Sequence, residues 1–143
     1  MKYLLLVIPL MLSCDTGKLH LVASLDNDLK EASAIEMVKG SNLLWIIEDS
    51  GNKNNIYGID LKGNMIKNID IDNAVNVDWE DLTSDSLGNL YIGDFGNNSK
   101  SRKHFTIYKI SNVANLNNKA NVAGVVQQLF RPSTKHREDH RAY

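Results

Sequence analysis

Apolar residues in this chain come in short runs, and turn residues (Asn, Gly and Asp) interrupt them about every 8 to 12 positions. The runs are rich in Ile, Val, Leu, Tyr and Trp, as in "LLWII" (43–47), "NIYGI" (55–59) and "LYIGD" (90–94). β-Branched and aromatic side chains pack well on a pleated surface, so such segments predict strands. No apolar spacing of 3.6 residues is sustained beyond the first dozen positions, which argues against amphipathic helices. The predicted fold class is all-β.

The strands also repeat. "SAIEMVKGSNLLWIIEDSGN" (33–52) and "EDLTSDSLGNLYIGDFGN" (80–97) both contain a strand, a turn ending in Asn, an aromatic-bearing apolar strand, and an Asp-x-Gly-Asn close. The landmarks pair Asn42 with Asn89, Trp45 with Tyr91, Asp49 with Asp94, Gly51 with Gly96, and Asn52 with Asn97. A third strand with Ile-Tyr follows in each unit (55–64 and 106–111), then a fourth (65–71 and 122–130). Four short strands at a period of roughly 45 to 51 residues match one blade of a β-propeller. The expected architecture is therefore a partial β-propeller over 29–130, with blades at about 31–71 and 78–130. Residues 14–28 are expected to hold a tether and a first strand, His20–Ser24. Trp45 and Tyr91 are expected in the core. A propeller needs about four blades to close, and two alone leave open edges.

Composition adjusts this picture in two places. The chain has 17 Asn, most of them beside Gly, Asp or another Asn, where Asx side chains favour turns over helices. Its single Cys excludes an internal disulfide. That Cys follows a leader: Lys2, an apolar stretch from Leu4 to Leu12, then Ser13-Cys14. The stretch is well short of the ~18 to 20 residues of a membrane-spanning helix, and its layout is that of a secretory signal over 1–13. Met11-Leu12-Ser13-Cys14 resembles a bacterial lipobox, which implies lipidation of Cys14, export across the inner membrane and a lipid anchor in the cell envelope. Without Lys2 the formal net charge of −1 becomes −2, and the body lacks the basic stripe of a nucleic-acid binder. The last residues, "RPSTKHREDHRAY" (131–143), are polar and unpatterned. Their plain reading is a disordered end. The sharper one is an out-of-frame tail of a truncated gene.

"DLTSDSLGNLYIGDFGN" resembles an NHL-type propeller repeat. With "EASAIEMVKGSNLLWIIEDSGN" and "FTIYKIS", the stretch from 29 to 112 resembles secreted or lipid-anchored propellers of Bacteroidetes type, related to SdiA-regulated and phytase-like domains. The resemblance implies a fold and leaves the activity open.

Propeller topology brings the residues before strand one and those after strand two to the same end of a blade. That end would hold Glu31, Asp49, Glu80, Asp81, Asp94 and Asn97. Oxygen donors converging from neighbouring blades suit a hard cation, calcium above all. The competing reading assigns Asp49 and Asp94, with their Gly-Asn pairs, to turn chemistry. Trp79-Glu80-Asp81 is harder to explain that way. No nucleophile elbow, phosphate loop or metal-spaced His pair is present in the body, and "KSRKHF" (100–105) reads as a solvated basic loop. Two functions fit: an envelope-anchored binding or scaffold propeller whose acidic face takes a small molecule or protein, and a fragment of a calcium-dependent propeller hydrolase of phytase or lactonase kind. With no catalytic residue to name, the binding function is the expectation.

Overall fold

The computed structural model describes residues 17–129. Nine strands follow in order: β1 (Ala32–Met37), β2 (Leu44–Glu48), β3 (Asn55–Ile59), β4 (Met65–Ile71), β5 (Trp79–Ser84), β6 (Leu90–Asp94), β7 (His104–Ile110), β8 (Lys119–Ala120) and β9 (Gly124–Leu129). Apart from a three-residue 3-10 turn at Val113–Asn115, the described residues contain no helix. The chain is all-β, as its apolar pattern predicts.

The strands form two sheets. Sheet 1 runs β1-β2-β3-β4, antiparallel throughout, and the two-residue β8 adds to β4 in parallel. Sheet 2 runs β5-β6-β7-β9, also antiparallel. β4 has the bounds expected from sequence, and β8 was not foreseen. Residues 17–31 contain no strand, so the expected strand at His20–Ser24 is not formed. Leu19, Leu21 and Val22 are exposed instead, and the segment adds to neither sheet.

The turns are made by short polar side chains that replace backbone partners. Asp60 Oδ1 accepts the Lys62 and Asn64 N–H groups at 2.8 and 2.9 Å, and Gly63 takes φ 86°. Asp85 does the same for Leu87 and Asn89 at 2.9 and 3.0 Å, with Gly88 at φ 80°. "DLKGN" and "DSLGN" are one turn used twice, and only Gly enters its left-handed step without steric strain. The Asp85 carboxyl, held by Asn89 above all, lies at about 2.

The main core lies between the sheets. β5 packs across β1 and β2. Trp45, Ile47, Ile56 and Ile69 from sheet 1 meet Leu82, Leu90, Ile92 and Tyr108 from sheet 2. Trp45 and Trp79 are fully buried, each contributing ~5 kcal/mol for about 200 Å² removed from water. Tyr91 departs from expectation. It lies on the opposite face of sheet 2, half-exposed, with its hydroxyl donating to Asp85 at 2.9 Å and Lys109 Nζ 5.6 Å from its ring centre. Trp45 and Tyr91 do hold equivalent register positions. Each sheet, however, turns a different face to the other, so of these two equivalent residues Trp45 lies in the core and Tyr91 outside it.

Candidate functional site

A β-bulge shapes the start of each sheet's first strand. In β1 it falls between Ala32 and Ala34, and in β5 between Trp79 and Asp81. Bulges re-aim side chains at strand ends. Asp78 precedes β5, Glu80 sits within its bulge, and Asp49 follows β2 of the other sheet. One carboxylate oxygen from each of these three residues lies within 4.8 Å of the others. Two oxygens bound to one calcium ion at about 2.4 Å are at most about 4.8 Å apart, so the three could share a single hard cation.

The backbone around them is pinned from both sheets. Asn76 Nδ2 donates to the carbonyls of Glu48 and Asp49 at 2.9 and 3.0 Å, while its Oδ1 accepts the Trp79 N–H at 3.1 Å. One side chain thus fixes the Asp49 loop against the start of β5. The Asp78 N–H donates to Asp94 Oδ1 at 2.9 Å, and its carbonyl accepts the Gly96 N–H at 3.0 Å. Arg102 Nη1 donates to the same Asp94 oxygen at 2.7 Å and to the Gly96 carbonyl at 2.8 Å. Asp94, only 1% exposed, is therefore a paired buried charge that orients Asp78.

The Asp78 side chain has no such pairing. It is 8% exposed, and its Oδ1 is buried without a hydrogen-bond partner. A buried acceptor left unsatisfied costs about 1–3 kcal/mol, and more when charged. Burial pushes the Asp78 carboxyl up, and facing Asp49 pushes it further. Asp49 goes the other way, held down first by the Ser50 N–H and then by Asp78. Glu80 is raised by burial and then by the charges of Asp49 and Asp78. The two shifts run in opposite directions, so Asp49 ionises more readily than Asp78.

The six residues singled out from sequence separate here. Asp49 and Glu80 join the three-carboxylate cluster. Glu31 lies beside it: its Oε2 accepts Asn52 Nδ2 at 2.8 Å and its carbonyl accepts the Asp49 N–H at 2.9 Å. Asp94 faces Arg102. Asn97 Oδ1 accepts the Arg102 N–H at 2.9 Å. Asp81 belongs to the other side of β5, where it lines a groove of about 470 Å³ with Thr83, Tyr91, Phe95 and Ile107. Asp78, Asn76 and Arg102 were not singled out. Cys14 lies outside the described residues, as do the leader and the 131–143 tail.

Compared with protein-family models, with curated proteins and with solved structures, the chain has no match.

Proposed function

We propose that this chain is a propeller-type binding or scaffold module of the cell envelope, whose two sheets are neighbouring blades sharing one calcium-class cation at Asp49, Asp78 and Glu80. The observation that carries this reading is the buried Asp78 carboxylate, which has one oxygen without a partner and converges with two further carboxylates. A divalent cation would neutralise the cluster and tie sheet 1 to sheet 2. The ion's remaining coordination positions, left to water or to a bound molecule, are the means by which such a module would recognise an oxygen-rich ligand. The leader and Cys14 support an anchor at a membrane surface, and among the described residues no helix is long and apolar enough to cross one.

A ligand that binds only the native state must stabilise it. Calcium at about 100 times its dissociation constant adds about 2.7 kcal/mol, roughly 10 °C in melting temperature for a domain of this size. The wild-type chain should show that rise, and Glu80→Gln should lose most of it. An unchanged melting temperature in the wild type sinks the proposal. The anchor is tested separately: incorporation of a fatty-acid probe should vanish in Cys14→Ser.

A further inference from the structure

The first three strands of the two sheets share one register. Ala32 pairs Glu48 as Trp79 pairs Asp94, and after the bulge Ile35 pairs Ile46 as Leu82 pairs Ile92. Ile46 then pairs Tyr57 as Ile92 pairs Tyr108, and Leu44 pairs Ile59 as Leu90 pairs Ile110. Each sheet nevertheless contributes a different face to the core between them. Sheet 2 contributes Leu82, Leu90, Ile92, Tyr108 and Ile110. Their register equivalents in sheet 1, namely Ile35, Leu44, Ile46, Tyr57 and Ile59, all lie on its outer face. Conversely, sheet 1 contributes Trp45, Ile47 and Ile56, whose equivalents Tyr91, Gly93 and Ile107 lie on the outer face of sheet 2. The chain therefore carries both halves of its internal interface a second time, facing opposite ways.

We infer that a second copy of this chain docks head-to-tail, with the outer face of its β1 seated on the outer face of β5 and β6 of the first copy. The contact continues the internal one, in which β5 lies across β1 and β2. Both halves are open among the described residues. Ile35 and Met37 on β1 are 53% and 65% exposed. The receiving surface is the 470 Å³ groove lined by Asp81, Thr83, Tyr91, Phe95 and Ile107. Within one chain Leu82 and Ser84 enter the equivalent position, and Ser84 Oγ donates to Glu36 Oε1 at 2.6 Å. Across the new contact Ile35 and Met37 take those places, and Thr83 stands where Glu36 does. The centre of the sheet 1 outer face, Ile46, Tyr57 and Ile59, is already packed against Leu29. The docking strand is therefore β1, which Leu29 leaves free at Ile35 and Met37. Because the two surfaces differ, the contact is heterologous, and it closes into a ring or extends into a filament.

Sedimentation of the purified full-length chain tests this, with Met37→Lys marking one surface and Thr83→Lys the other. Both side chains are exposed, so both variants should keep the wild-type circular dichroism spectrum; Ile35→Lys and Asp81→Lys form a second pair should either fail to fold. The wild type should gain mass with concentration, and each variant alone should remain a monomer. An equimolar mixture should reach about twice the monomer mass and stop, since only one intact pair of surfaces remains. Wild type that stays monomeric overturns the inference, as does a variant that still associates alone. So does a mixture that stays monomeric, because two copies meeting through identical patches give that result.

Discussion

Gly96→Ala probes the position of Asp78 directly. A Cβ on Gly96 would stand closer than 3.0 Å to the Asp78 Cγ and to both of its carboxylate oxygens, a separation that real Cβ atoms essentially never show. Gly96 is not among the glycines of positive φ, so an Ala there meets steric conflict and no backbone strain. The Asp78 main chain cannot yield readily, because its N–H and carbonyl are bonded to Asp94 and Gly96. The carboxylate must swing away, leaving Asp49 and Glu80 without their third oxygen. Overpacking of this kind costs about 1–3 kcal/mol, or a fall of roughly 4–12 °C in melting temperature. Gly124→Ala is the matched control. The nearest atoms to its Cβ are Lys109 Cβ and Cδ at 3.8 and 4.0 Å, an ordinary contact, and its effect should stay within about 0.5 kcal/mol. Calorimetric melts of both variants, with and without calcium, decide the matter. If Gly96→Ala melts with the wild type and keeps its calcium response, Asp78 is not packed where this account needs it.

Two further perturbations separate charge from packing. In the calcium-free protein the raised Asp78 carboxyl contributes stability that is present below its ordinary range and lost as pH rises through the raised value, so Asp78→Asn should melt higher than wild type at pH 8 and converge with it in acid. A wild-type melting temperature that rises steadily from pH 5 to 8 while Asp78→Asn stays flat would contradict that sign. Arg102→Met leaves the buried Asp94 carboxylate without its cation and should cost about 3–5 kcal/mol by urea denaturation, against the near-zero effect expected of a solvated loop arginine.

The strand pattern was legible because burial on a pleated sheet imposes alternation, and the repeat was legible because both sheets solve the same packing problem. What failed did so for identifiable reasons. The Asp-x-Gly-Asn match aligned Asp49 with Asp94, whereas the register sets Asp94 beside Trp79 as Glu48 is set beside Ala32. The true equivalents are Glu48 and Asp94, a one-residue slip, and in a strand a slip of one reverses the face. This is why Asp94 turned out to be a buried paired charge while Asp49 stayed at the junction. Arg102 was hidden in a basic loop that looked solvated. The missing signal was that a carboxylate ending a buried strand demands a counter-charge within reach. In the sequence Asp78 is only an acid next to Trp79, since its burial depends on Gly96 having no side chain. Nothing local in the sequence marked Asn76 as the clamp between the sheets. His20–Ser24 has a strand's composition but adds to neither sheet, because pairing is not encoded in one segment alone.

Isothermal titration of calcium into the full-length, chelator-treated chain reads out a single cation shared by Asp49, Asp78 and Glu80. The wild type should bind one ion per chain, Asp78→Asn should show no measurable binding, and Asp81→Asn, whose carboxylate lies on the other side of β5, should bind as the wild type does. Equal loss in both variants, or binding that survives Asp78→Asn, would contradict the shared cation.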